Sequence, residues 1–245
     1  MLILIRVETD LKGGREAKAR GDVVVVVDVL RFSSAVIVGL ACGADAFIPV
    51  GTLAEARRLG KRKRGLILAG ERKGVQPEGF HLGNSPTELE NANLTGKTII
   101  ITTTNGTAAL KSSRGARWLL VGAFINARAV SAAASGLSKD EKGIAIILAS
   151  RLGSIFLEDF LCAGLLVSNM ADEDEQMNDA AIAAKLAWTS AEDHFQEVVM
   201  RSSHATYLEG LGYKKDVDFC LRKDVYDIVP HLRKDTIVKL QARKV

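Results

Sequence analysis

Val23-Val24-Val25-Val26-Val27-Asp28-Val29-Leu30-Arg31-Phe32-Ser33-Ser34 is the stretch that decides the fold. A strand with one wet face alternates apolar and polar side chains. Five valines in a row instead describe a strand covered on both faces, as in parallel sheets layered between helices. The run stops at Asp28. Ser33 or Ser34 can then cap a helix that runs to Cys42, with Gly43 as its stop signal. Strand, polar turn and helix in that order open a βαβ unit.

Outward from this stretch the pattern repeats. Met1–Arg6, Ala46–Val50, Leu66–Ala69, Lys97–Thr103, Trp118–Val121 and Ile144–Leu148 are short apolar runs that read as strands. Thr52 with Glu55 has capping-box spacing, and Ser85, Pro86 and Glu88 supply N-cap, N1 and N3 of a short helix. Another helix starts near Thr107, and an alanine-rich one spans about Asn126 to Leu137. From Ile155 onward the spacing is helical, with Ile155, Leu157, Phe160, Leu161 and Leu165 as core contacts. Ala180–Trp188 and Glu192–Leu211 also read as helices, and a strand returns near Ile237. Strands alternating with helices specify a three-layer α/β/α fold with a mostly parallel, mixed sheet. No repeat or composition break divides residues 1–245, which read as a single domain.

Composition bounds the function. With 47% hydrophobic and 25% charged residues the chain is an ordinary soluble globular protein, and only 5% are aromatic, so Val, Ile, Leu and Ala must fill the core. The basic cluster Arg57, Arg58 and Lys61–Arg64 has no interleaved aromatics; it reads as a solvated helix end, not a nucleic-acid surface. Asp172–Glu175 reads as an exposed turn. Cys42, Cys162 and Cys220 are odd in number and lack zinc spacing, which makes them buried free thiols in a reducing compartment. No run of about eighteen apolar residues is present, so a soluble, cytoplasmic protein without a membrane partner is expected. The alanine-rich helices leave room for a homodimer.

Four polar clusters each follow an apolar run: Asp28–Arg31–Ser33–Ser34, Glu71–Arg72, Thr102–Gly106, and Ser150–Arg151 continuing to Glu158–Asp159. In a parallel α/β sheet they would emerge at one edge, where such folds bind ligands. Acids, arginines, hydroxyls and Asn105-Gly106 suit a divalent metal together with a strongly anionic ester. Asp28, at the end of a buried strand, needs a cation or backbone donors, and the following helix N-terminus offers N–H groups to an oxyanion. A structural pair with Arg31 would satisfy it equally. Asn-Gly tolerates positive φ, so Thr102–Gly106 forms either an anion cradle or a Thr-capped turn. Glu71-Arg72-Lys73-Gly74 opens a long glycine-rich loop, the kind that carries function. Glu158 and Asp159 either complement a helix dipole or join Asp28 on Mg²⁺, which typically takes one or two protein carboxylates. His81 can line the site. His204 reads as a structural histidine, and His194 and His231 have no supporting neighbours. There is no P-loop or dinucleotide fingerprint, and Leu30 stands where a haloacid-dehalogenase-type phosphatase needs a second aspartate.

Taken together these stretches resemble the 2-phosphosulfolactate phosphatase (ComB) family. The matching segments are Val27–Ser34, Gly70-Glu71-Arg72, Gly79–Pro86, Thr102–Thr107, and Leu157-Glu158-Asp159 with Cys162-Ala163-Gly164. Weaker echoes lie at Ser203-His204-Ala205 and Asp216. The chain departs from the family pattern at His81, Phe32 and Ser150-Arg151. The resemblance implies a Mg²⁺-dependent phosphatase that converts 2-phospho-3-sulfolactate to 3-sulfolactate and phosphate, as in coenzyme M biosynthesis. The charge of such a substrate sets the expected roles: Asp28, Glu71 and Asp159 as catalytic residues, and Asp28 and Asp159, with Glu71 or Glu158 assisting, as Mg²⁺ ligands. Arg31, Ser33, Ser34, Arg72, Asn84, Thr103, Thr104, Asn105, Gly106 and Arg151 would hold the small anionic phosphorylated substrate. Whether Asp28 ligates the metal or is itself the nucleophile stays open. Two rivals are a metal-dependent phosphatase for another small phosphorylated 2-hydroxy acid and a non-catalytic binder of anionic metabolites.

Overall fold

The computed structural model describes residues 3–62, 65–139, 141–149, 154–171 and 176–241. In chain order its elements are β1 (Leu4–Glu8), α1 (Leu11–Arg20), β2 (Val23–Val27), α2 (Phe32–Ala41), β3 (Ala46–Pro49), α3 (Leu53–Arg62) and β4 (Ile67–Gly70). There follow α4 (Pro86–Asn91), β5 (Thr98–Thr102), α5 (Gly106–Ser112), β6 (Leu119–Gly122), α6 (Ala127–Ser138), β7 (Gly143–Leu148) and α7 (Leu157–Met170). The remainder is β8 (Gln176–Met177), α8 (Asp179–Ala191), α9 (Phe195–Met200), α10 (Ser203–Gly210), α11 (Lys214–Cys220), β9 (Pro230–Arg233) and β10 (Thr236–Lys239). The expected strands all form, and Ser85 caps α4 by accepting from the Glu88 N–H, with Pro86 in the first turn. No helix among the described residues is long and apolar enough to cross a membrane.

The strands join in one sheet of order β4-β5-β3-β10-β9-β6-β2-β7-β1-β8. All five valines of β2 are buried, as the unbroken apolar run requires. Odd and even valines serve different layers. Val23, Val25 and Val27 pack with Val130 of α6, Leu166 of α7 and Trp188 of α8. Val24 and Val26 share a cluster with Val36 and Ile37 of α2, Phe47 of β3, and Ile99 and Ile101 of β5. A third cluster sets Leu68 and Ile100 against Ala56 of α3. Helices thus cover the mixed sheet on both sides, giving the three-layer α/β/α architecture.

One feature of the topology corrects the single-edge expectation. The block β6-β2-β7-β1-β8 is parallel throughout, and so is β4-β5-β3. Between them lies the hairpin β9–β10, which pairs antiparallel with β6 on one side and β3 on the other. Three antiparallel steps reverse the sense, so the two blocks run in opposite directions. The polar turns still converge. Helix α2 is buried in a core cluster shared by strands of both blocks, and the turns after β2, β4 and β5 meet beside its first residues.

Other expectations are revised locally. Helix α2 starts at Phe32 with Arg31 before it and no side-chain cap, so Ser33 and Ser34 lie inside it. Ile155 is 52% exposed, not a core contact, because it precedes α7 rather than belonging to its buried face. The stretch Glu192–Leu211 breaks into a 3₁₀ turn at Glu192–His194, then α9 and α10. Cys162 and Cys220 are buried thiols, whereas Cys42 at the end of α2 is partly exposed. Lys61 and Arg62 are exposed as expected; Lys63, Arg64 and Asp172–Glu175 lie outside the described residues.

Candidate active site

A cavity of about 430 Å³ opens where these turns meet, lined by Asp28, Leu30, Arg31, Glu71–Gly74, Asn84, Thr103–Asn105, Phe156, His204, Tyr207 and Leu208. Asp28 ends β2 and is 7% exposed. Its main-chain N–H donates to Ser33 Oγ (3.0 Å), and its Oδ1 accepts from the Phe32 N–H at 3.3 Å. Burial pushes its pKa up to about 7, the charges of Glu71 and Glu158 push the same way, and His204 with the Phe32 N–H oppose. An aspartate held there exchanges a proton near neutral pH, a property that clusters at functional sites.

Asp159 and Glu158 come from the first turn of α7. Asp159 Oδ1 accepts from the Val29 N–H at 2.7 Å, bridging 130 positions to the residue after Asp28. Its pKa is raised well above the ordinary range by burial, then by the charges of Glu158 and Asp28. The two aspartates therefore converge, although Asp159 sits behind the cavity wall and does not line it. Glu158 is fully buried; one oxygen meets His204 Nδ1 at 2.6 Å, and the other, Oε2, has no partner among the described residues. Burial works against charge on the His204 ring, but the hydrogen bond and charge of Glu158, with Asp28, outweigh it and raise its pKa. The ring also lies 4.7 Å from that of Phe156.

The loop acids and cations are more fully spent. Glu71 Oε1 accepts from the Thr104 N–H (2.6 Å) and Oε2 from the Gly74 N–H (2.9 Å), so Glu71 staples the loop after β4 to the turn after β5. Arg31 is buried. It donates to Asp216 (2.6 Å) and to Gly74 O (2.6 Å), and its guanidinium stacks 3.9 Å over the Tyr213 ring. Ser85 and Thr87 hold the other oxygen of Asp216. Arg31 thus faces the cavity with its charge already balanced. Arg72 donates to the carbonyls of Glu71, Thr102 and Gly51 and to the Thr102 hydroxyl.

Several expected substrate contacts are placed elsewhere. The hydroxyls of Ser33 and Ser34 are buried, the first accepting from Asp28 N and the second donating to Val29 O, so they organise the turn and do not reach the cavity. Asn105 has φ −107°, not a positive value, and Gly106 lies inside α5. Glycine is needed at 106 because a Cβ there would collide with the buried Phe32 ring. Thr103, Thr104, Asn105 and Asn84 do line the cavity, and Asn84 Oδ1 is buried without a partner among the described residues. His81 is exposed, accepts from the Leu68 N–H at 2.9 Å and lies away from the cavity. Arg151 lies outside the described residues. Conversely, His204 reads from the sequence as structural but lines the cavity, as does Lys73 of the glycine-rich loop, while Phe156 and Tyr207 carry no sequence signal as cavity residues. Only the Ser203-His204-Ala205 echo pointed toward α10.

No group of three or more His, Cys, Asp or Glu among the described residues is arranged to hold a metal ion. The chemistry of the donors nonetheless fits Mg²⁺. Asp28 and the unpartnered Glu158 Oε2 are hard oxygen donors, buried without enough positive charge, and Mg²⁺ binds through one or two carboxylates while keeping several waters.

Comparison with known proteins gives a consistent picture. The family model described as 2-phosphosulpholactate phosphatase matches residues 11–235. A probable 2-phosphosulfolactate phosphatase of Thermotoga petrophila is 40% identical over 208 residues, covering 85% of this chain and 88% of that one. Its counterpart in Caldicellulosiruptor saccharolyticus is 36% identical over 220 residues, covering 88% and 91%. The one in Clostridium acetobutylicum is 35% identical over 219 residues, covering 88% and 92%.

Proposed function

We propose, from the premise that this chain belongs to the 2-phosphosulpholactate phosphatase family, that its cavity hydrolyses 2-phospho-3-sulfolactate to 3-sulfolactate and phosphate. The reaction is taken to need Mg²⁺ and to be of the coenzyme M biosynthesis type. The observation that carries this reading is the buried Asp28 carboxyl lining the same cavity as His204, whose ring Nδ1 meets Glu158 at 2.6 Å.

Water adds to phosphorus and releases one proton to solvent, the bond from phosphorus to the ester oxygen breaks, and the departing alkoxide takes a proton from a protein donor that solvent then reprotonates. His204, whose pKa is raised by its hydrogen bond to Glu158, is suited to supply that proton. Asp28 and Glu158 would hold the metal ion. When bound, Mg²⁺ neutralises phosphoryl oxygens and lowers the pKa of a coordinated water. Thr103, Thr104, Asn105 and Asn84 line the wall and can orient the anionic oxygens, and positioning of that kind accounts for most of phosphoryl-transfer catalysis. Glu71 and Asp159 act through the backbone they anchor, holding the turns after β5 and β2 in place.

The test is a panel of phosphorylated 2-hydroxy acids, including 2-phospho-3-sulfolactate and 2-phospholactate, assayed for released phosphate with Mg²⁺ and with a chelator. Turnover of 2-phospho-3-sulfolactate that chelation abolishes is expected. Release from none of the esters would defeat the proposal.

A further inference from the structure

The cations on the cavity wall are not equally available. Arg31 is neutralised by Asp216, and Arg72 is committed to carbonyls and one hydroxyl. The Lys73 ammonium makes neither an ion pair nor a hydrogen bond among the described residues. Its backbone, by contrast, is closely held. Arg72 and Val75 exchange two main-chain hydrogen bonds of 2.9 and 3.1 Å around Lys73 and Gly74, whose φ values are 51° and 76°. Two left-handed residues closing a two-residue hairpin make a type I′ turn, where Asn-Gly or Asp-Gly is favoured. Lysine in that conformation crowds its own Cβ. The turn is kept in place by Tyr207, whose hydroxyl donates to Lys73 O (3.0 Å), and by Glu71 and Arg31 on Gly74. Surroundings that hold a disfavoured residue this firmly point to a use for its side chain.

We infer that Lys73 is a specificity-determining residue: its ammonium receives the sulfonate of the proposed substrate, the anionic group that is neither the phosphate nor the carboxylate. The site thereby selects a phosphate monoester that carries a third anionic group over one that carries a carboxylate alone. The inference rests on the phosphatase reading above and adds to it the group that selects the substrate.

Lys73→Asn is the informative variant, because asparagine is favoured at that turn position and leaves the hairpin intact. The first readout is the ratio of kcat/KM for 2-phospho-3-sulfolactate to that for 2-phospholactate, which differ by the sulfonate. The ratio should fall roughly tenfold or more, the scale of a lost hydrogen bond between charged groups. The second is calorimetric binding of 3-sulfolactate and of lactate to both proteins in Mg²⁺ buffer, which needs no turnover. Sulfolactate should bind the variant more weakly by a similar factor, and the margin over lactate should shrink. An unchanged ratio, or equal sulfolactate affinity in the two proteins, overturns the inference. If the wild-type protein released phosphate from neither ester, the catalytic reading would fail on its own, and the calorimetric comparison would still decide the role of Lys73.

Discussion

Replacing Asp28 by asparagine should make the fold more stable at alkaline pH. Asp28 has a folded pKa of about 7 against an ordinary value of 3.8. An acid raised in this way contributes its stability below about pH 4 and loses it as pH rises through about 7. At about pH 8 the ionised, buried carboxylate costs on the order of 4 kcal/mol relative to an aspartate of ordinary pKa. Asparagine keeps an oxygen to accept the Phe32 N–H and carries no charge. The variant's stability advantage should therefore widen by on the order of 2–3 kcal/mol between about pH 5 and about pH 8. Urea unfolding of both proteins across that range measures it directly. If Asp28 and Glu158 share a cation, added Mg²⁺ should recover much of the lost stability in the wild-type protein and little in the variant. Parallel stability profiles for the two proteins would refute the reasoning, because they would mean that Asp28 is not buried against its ionisation.

Three further outcomes follow from single contacts. Asp216→Asn leaves the buried Arg31 guanidinium without its counter-charge and should cost about 3–5 kcal/mol, seen as a lower denaturation midpoint; an unshifted midpoint would show the pair to be dispensable. Gly106→Ala drives a methyl group into the Phe32 ring at the start of α2 and should cost about 1–3 kcal/mol in thermal unfolding. Glu158→Gln removes the charge that offsets burial of His204, so an NMR titration should find the His204 pKa lower than in the wild type; an equal or higher value would break the assigned pairing.

What could be read from the sequence followed from local constraint. Burial on both faces leaves no alternation, so Val23–Val27 and Ile144–Leu148 announced the central strands. The order Ser85, Pro86, Glu88 announced α4 because each residue answers a need of the first helical turn. The strand near Ile237, which is β10, was legible, but its hairpin partner β9 and the antiparallel pairing that reverses the sheet were not, since β9 has four residues of mixed polarity and the hairpin's sheet partners lie far away in sequence. The same distance hid how charges are shared. Arg31 looked like a free anion clamp, yet Asp216, 185 positions later, neutralises it. His204 looked structural, yet it lines the cavity and Glu158 raises its pKa. Ser33 and Ser34 looked like caps offered to a ligand, and the turn consumed both hydroxyls internally.

The most direct measurement is steady-state phosphate release from 2-phospho-3-sulfolactate by the wild-type protein and by Asp28→Asn, side by side in Mg²⁺ buffer. Turnover by the wild type, reduced roughly a thousandfold or more in a folded variant, is the expected result. Equal rates in the two proteins, or no release by the wild type, would contradict the assignment of hydrolysis to this cavity.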